Sequence, residues 1–130
     1  MAILAAIPVI GCQAIQATLY FYLQLFQFVV ISKRESNGCL HWLHLKHGDT
    51  TLMLKSIEPD HPEQKHSLHS GISLYLYVNN INELHHFIKA KNITVSDIVL
   101  MDYQMHEFKL LDPEGNMITI GQSVKQPLNE

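Results

Sequence analysis

Cysteine is nearly absent: Cys12 and Cys39 are the only two among 130 residues. Two thiols cannot build the disulfide framework that holds small secreted domains together, so both read as reduced side chains of a cytoplasmic protein. A basic excess is missing too. Nine Lys and Arg stand against twelve Asp and Glu, a formal net charge of −3. Without surplus cations to displace counterions, no nucleic-acid partner is expected. Charge of either sign is missing from Met1 to Ser32, since Lys33 is the first charged side chain. A secretory signal needs a positive flank before its apolar run, and this stretch has none. A membrane helix needs about 20 apolar residues in succession. Pro8, Gly11, Gln13, Gln16, Gln24 and Gln27 interrupt them here, and each unmatched amide in hydrocarbon is costly. No membrane partner is expected either.

What is present is apolar. Hydrophobic residues make up 47% and charged residues 16%, enough to bury a core and too dry for wholesale disorder. The length suits one compact domain, or two small halves sharing a core. Histidine is over-used: nine residues, whose full protonation would carry the formal charge from −3 to +6, so acid sensitivity is expected.

The chain reads as one pattern written twice. Ala2 to Ile10 is an apolar run of strand length, broken by Gly11-Cys12-Gln13. Ala14, Ala17, Thr18, Phe21, Tyr22 and Leu25 then fall at helical spacings, which predicts a helix through about Leu25. Phe28 to Ile31 is β-branched and aromatic, and Arg34 to Gly38 carries turn residues. Leu40 to Lys46 and Thr51 to Lys55 follow as strands around a hairpin at His47-Gly48-Asp49. The pattern restarts at Ile72. Ile72 to Val78 alternates like a strand with one buried face. Asn80 with Glu83 forms a capping box for a helix whose stripe is Ile81, Leu84, His85 and Ile88. Lys89 and Lys91 suit the end of that helix, and Asn92 its left-handed cap. Ser96 to Leu100, His106 to Leu111 and Asn116 to Gly121 read as strands, the last two joined by the turn Asp112-Pro113-Glu114-Gly115.

The expected fold class is therefore α+β: two βαβββ modules forming a curved sheet, with helices on the outer face and a concave groove left open. An open groove between like halves is a binding site by shape. A ferredoxin-like sandwich is the alternative, but it needs only βαββαβ and leaves two strands unused. Residues 1–125 read as a single domain, with module one at about 2–56, a Pro- and His-rich linker at 57–70, and module two at about 71–122. Residues 123–130 read as a C-terminal tail.

At this point the sequence resembles the vicinal oxygen chelate superfamily, which includes glyoxalase I, the bleomycin-resistance proteins and the extradiol dioxygenases. The resembling residues are Phe21-Tyr22, His47-Gly48-Asp49-Thr50 and, most specifically, the block from His106 to Asn116 (HEFKLLDPEGN) followed by an apolar strand. The likeness spans about Ile3 to Gln122. Gln27 departs from it, standing where relatives usually place a glycine after the helix. Metal-dependent relatives hold a divalent ion with His or Glu on four strands; matched strand by strand, those positions are Ile7, Met53, Ser73 and Thr119. None offers an imidazole or a carboxylate. The resemblance thus implies the metal-free, bleomycin-resistance-like branch of the glyoxalase/bleomycin-resistance/dioxygenase fold, with no cofactor and with a homodimer as its usual assembly.

Strand alternation sorts the groove lining. With Leu43, Leu45, Leu52 and Leu54 packed under the helices, Trp42, His44, Lys46, Thr51, Met53 and Lys55 face the open side. In the second module Leu74, Leu76, Val78, Phe108, Leu110, Ile118 and Ile120 go inward. That leaves Ser73, Tyr75, Tyr77, Glu107, Lys109, Met117 and Thr119 outside. An indole, two phenols, two thioethers and a few charges suit a flat organic molecule. Aromatics also fill plain β surfaces, and a register slip of one residue would invert every assignment.

The histidines do not suggest a metal site. On a strand, His44 opposes His41 and His47; His61, His66 and His69 lie in the linker; and His85 and His86 point apart on a helix. Cys12 reads as a small buried hydrophobe. Three functions remain open: a small-molecule binding protein acting by sequestration, as in antibiotic resistance; a lactoylglutathione-lyase-like or dioxygenase enzyme holding a metal through stand-ins such as His44 and Glu107, with Lys109 meeting an anion; and a metal-free enzyme using Glu107, His44 or Tyr75 for acid–base work.

Overall fold

The computed structural model describes residues 2–57 and 72–125, in two compact units that divide between His66 and Ser67. The linker histidines His61, His66 and His69 lie outside the described residues.

The first unit contains β1 (Val9–Cys12), α1 (Ile15–Phe26), β2 (Val29–Ser36), β3 (Cys39–His47) and β4 (Thr50–Ser56). Its sheet runs β1-β4-β3-β2, with β1 parallel to β4 and the other pairs antiparallel. The second unit repeats this with β5 (Leu74–Tyr77), α2 (Ile81–Lys89), β6 (Val99–Leu100), β7 (Met105–Leu111) and β8 (Met117–Ser123). The order is β5-β8-β7-β6, again with one parallel pair, β5 and β8. Both expected βαβββ modules are therefore present, and a separate four-stranded sheet in each half excludes the ferredoxin-like alternative.

Each helix buries one stripe. Thr18, Tyr22 and Leu25 of α1 are buried, at spacings of four and three that share a helix face. Tyr22 also sits edge-on to Phe21 and Phe28 at 5.1 and 6.1 Å. The sheet supplies Leu43, Leu45, Leu52 and Leu54, all at most 2% exposed. In the second unit Ile81 and Ile88 meet Phe108, Leu110, Ile118 and Ile120 in the buried core, and the His85 ring packs edge-on to Phe108 at 4.8 Å. Cys12 is fully buried, as its apolar neighbours suggest.

Several boundaries differ from the sequence reading. The apolar run before Val9 forms no strand; β1 begins at Val9 and passes through Gly11 and Cys12 instead of stopping there. Its register on β4, from Val9 opposite Met53 to Cys12 opposite Ser56, decides this. β2 continues through Arg34 to Ser36, because the turn needs only Asn37 and Gly38, at φ +52° and +76°; two left-handed residues match the twist of a tight hairpin. Asn80 makes no side-chain cap. The Ile81 N–H donates instead to Gln122 Oε1 at 2.9 Å, so β8 caps α2 across the core. Asn92 is left-handed at φ +62°, but the helix has already ended at its Ala90 cap. Of Ser96 to Leu100, only Val99 and Leu100 pair. Ser96 is pinned otherwise: its hydroxyl oxygen accepts the Lys109 N–H at 2.8 Å and its own N–H donates to the Lys109 carbonyl.

The Asp112 turn is as read and fully wired. Asp112 Oδ1 accepts from the Glu114 and Asn116 N–H groups, both at 2.9 Å, and Oδ2 from the Asn116 amide at 3.1 Å. Among the described residues no helix is long and apolar enough to cross a membrane.

Candidate functional site

In both units the helix packs on one sheet face, and the alternate residues form the other. In the first unit this helix-free face carries Trp42, His44 and Met53, all half-buried. His44 is paired with Met53 in the ladder, and its ring lies 6.1 Å from Trp42. His44 Nε2 is buried and has no hydrogen-bond partner among the described residues. His106 Nδ1 shares that condition, on the strand face of Phe108 and Leu110. The Lys46 and Lys55 side chains are exposed at the margins.

The helix-free face of the second unit holds most of the expected residues, in register. Tyr75, Thr119 and Lys109 form one row across β5, β8 and β7, and Tyr77, Gly121 and Glu107 form the next. The Tyr75 and Tyr77 rings lie 5.1 Å apart at a tilt of 55°. Tyr77 is 77% exposed, Tyr75 40% and Met117 37%. Ser73 lies before β5 and is exposed, outside the paired rows.

Glu107 departs from expectation. Alternation assigns it to the open side beside Lys109, yet it is only 3% exposed. Tyr75 and Tyr103 cover it. Their hydroxyls donate to Glu107 Oε2 at 2.7 and 2.6 Å, and Lys109 Nζ lies 3.4 Å from Oε1. Burial by itself would raise the Glu107 carboxyl, but the hydrogen bonds from Tyr103 and Tyr75 and the Lys109 charge outweigh it and hold it below the usual carboxylate range. The phenols move the other way. Burial, then the hydrogen bond to Glu107 and its negative charge, push Tyr75 well above the ordinary 10.0. The bond to Glu107, with burial and the same charge, pushes Tyr103 up to about 12.

Two members of this cluster escaped the sequence reading. Tyr103 belongs to no strand; it sits in the turn between β6 and β7, where Gln104 adopts φ +69°. Gly121 leaves the room that Tyr75 occupies, since a β-carbon there would overlap the Tyr75 hydroxyl and come within 2.6 Å of ring atom Cζ. A glycine inside an apolar strand is the signal that could have found it, because it marks a close approach.

The residues do not fit a metal ion at the positions the resemblance assigns to one. Ile7 and Met53 offer no hard donor, and Ser73 and Thr119 offer neutral hydroxyls, which bind a divalent cation poorly without a carboxylate or imidazole beside them. Among the described residues, no three of His, Cys, Asp and Glu come together as a ligand set.

Comparison with known proteins agrees with the topology. No curated protein matches the chain in sequence. Among solved structures, a bleomycin-binding protein complexed with bleomycin is 21% identical, covering 92% of this chain and 98% of its own, with a TM-score of 0.69. A bleomycin resistance determinant encoded on the transposon Tn5 is also 21% identical, over 92% of this chain and 97% of its own, at a TM-score of 0.70. A lactoylglutathione lyase from Agrobacterium tumefaciens is 16% identical, over 94% and 96%, at 0.66. At these identities the likeness is one of fold. The family model of the Glyoxalase/Bleomycin resistance protein/Dioxygenase superfamily matches residues 6–120. Since that match runs through both βαβββ modules, the chain belongs to the glyoxalase/bleomycin resistance/dioxygenase superfamily.

Proposed function

We propose that the chain binds a small planar molecule, aromatic or drug-like, on its helix-free sheet faces without a metal ion, and acts by sequestering it. The observation that carries this reading is aromatic surface left open on a sheet face: Tyr75 and Tyr77 side by side at 5.1 Å, one 40% and the other 77% exposed. One ring can stack on a planar guest while the other, tilted 55° to it, meets that guest with its edge. Trp42 beside His44 supplies a second aromatic surface, both rings half-buried on the helix-free face of the first unit. Two similar structures, a bleomycin-binding protein and a bleomycin resistance determinant, support a binding role and name the first compound to try.

Acid–base catalysis by Glu107 fits less well. Its lone pairs are engaged by Tyr75, Tyr103 and Lys109, and a carboxylate held low is a weak proton acceptor. A metal-dependent lyase or dioxygenase would need donors that Ile7, Met53, Ser73 and Thr119 do not provide. The working form in this reading is a cytoplasmic homodimer, with sedimentation as the check on assembly.

The test is titration of bleomycin and a panel of aromatic drugs and metabolites, followed by the fluorescence of Trp42, the one tryptophan, and by tyrosine NMR signals. A ligand should quench Trp42 or shift Tyr75 and Tyr77. Trp42→Ala or Tyr77→Ala should then weaken binding by about 2 kcal/mol, as for an aromatic anchor. A panel that leaves every one of these signals unchanged refutes the reading. Zinc, nickel, iron or manganese in stoichiometric amount in the purified protein refutes its metal-free part.

A further inference from the structure

A phenol has one proton to give and lone pairs to offer. Tyr75 and Tyr103 both commit that proton inward, to the same Glu107 oxygen, at 2.7 and 2.6 Å. Glu107 itself is almost sealed from solvent, at 3% exposed, whereas Tyr75 and Tyr103 are 40% and 55% exposed. With both protons turned inward, the two phenol oxygens have only lone pairs left to offer. The arrangement is held from three sides. Gly121 leaves space for the Tyr75 hydroxyl, the turn at Gln104 carries Tyr103 over β7, and the ladder fixes Glu107 opposite Gly121. Lys109 stands beside the pair with its side chain 46% exposed. Its ammonium is directed at the other carboxylate oxygen, at 3.4 Å, where it offsets the charge of Glu107. Selection by the two phenol oxygens is thus by hydrogen-bond polarity, while the Lys109 charge acts alike on ligands of equal charge.

We propose that Tyr75 and Tyr103, oriented by Glu107, form an acceptor-only subsite that selects planar ligands carrying N–H donors on their edge. This rests on the aromatic-ligand reading above and adds the edge chemistry of the ligand. Glu107 is a positioning residue here: it sets which way the phenol protons point and does not touch the ligand.

Proflavine and acridine orange separate the two ideas. Both are cationic acridines of one ring system, but dimethylation removes the exocyclic N–H donors from acridine orange. Fluorescence titration of the full chain should show proflavine bound roughly tenfold more tightly, the worth of one or two hydrogen bonds. Tyr75→Phe and Tyr103→Phe keep the rings and should each bring the ratio toward one. Glu107→Leu frees the phenol protons to face outward and should also lower the ratio; where it does not fold, the two Phe variants suffice. Equal binding of the two dyes by the unaltered protein overturns the subsite while leaving the aromatic-ligand reading standing. A ratio unchanged in both Phe variants overturns it in the same way. Failure of both dyes to bind overturns the subsite, and overturns the aromatic-ligand reading as well where the wider panel also leaves every signal unchanged.

Discussion

The hydroxyl of Tyr75 occupies the space that a β-carbon would take at Gly121, one strand away on the same sheet face. The two are diagonal neighbours in the ladder, since Tyr75 lies opposite Thr119 and Tyr77 opposite Gly121, which in turn lies opposite Glu107. Gly121→Ala should therefore drive the Tyr75 ring off Glu107. Overpacking of this kind costs about 1–3 kcal/mol. Alkaline titration of tyrosinate absorbance should show one phenol returning toward its ordinary 10.0. A variant in which Tyr75 stays raised would mean that the sheet yields and the ring does not.

The same cluster sets a pH dependence with a definite sign. Tyr103 is raised from 10.0 to about 12, and Tyr75 is raised further. A raised group gives stability that is fully present below its unfolded pKa. Folding stability should hold up to about pH 10 and fall as pH rises through 12. Glu107 is lowered from 4.5, so its contribution is present above that value and is lost as pH falls through its folded pKa. Tyr103→Phe should flatten the alkaline limb, and Glu107→Gln the acid one. Chemical denaturation across pH measures both.

Gln122 is fully buried and accepts the first N–H of α2. Gln122→Ala should cost about 1–3 kcal/mol, because it leaves that donor without a partner in the core. Asn80→Ala should cost far less, since Asn80 makes no side-chain cap. Thermal melts of the two variants decide which residue starts the helix. Equal losses would return the cap to Asn80.

This pair shows where the sequence was legible and where it was not. Periodicity depends on the chain's own neighbours, so the stripe Thr18, Tyr22 and Leu25 and the alternation of Leu43, Leu45, Leu52 and Leu54 could be read directly. A cap supplied from 41 residues away leaves no local trace beside Ile81. The same holds for Ala2 to Ile10, apolar enough for a strand throughout, where contact with β4 begins only at the Pro8 carbonyl, which accepts the Met53 N–H, and at Val9. At the candidate site, alternation placed Tyr75, Tyr77, Lys109 and Thr119 on one face correctly. It could not show that Tyr103, from a turn, reaches over and buries Glu107.

Gln27 ends α1 in the left-handed region at φ +57°, with its N–H donating to the Tyr22 carbonyl. A side chain there meets the following carbonyl oxygen, a strain of roughly 1–2 kcal/mol that glycine avoids. Against this, glycine loses about 0.4–1 kcal/mol through the greater freedom of the unfolded chain. The carbonyl of Gln27 faces His47 Nδ1 at 3.2 Å, and that backbone contact survives the substitution. The Gln27 side chain is exposed, so little packing is lost with it. Gln27→Gly should therefore stabilise the protein by about 0.5–1 kcal/mol, seen as a higher denaturation midpoint with an unchanged slope. Gln27→Ala, which keeps the β-carbon and the strain, should give no such gain. A gain shared by both variants would place the benefit in loss of the amide and leave the backbone out of it.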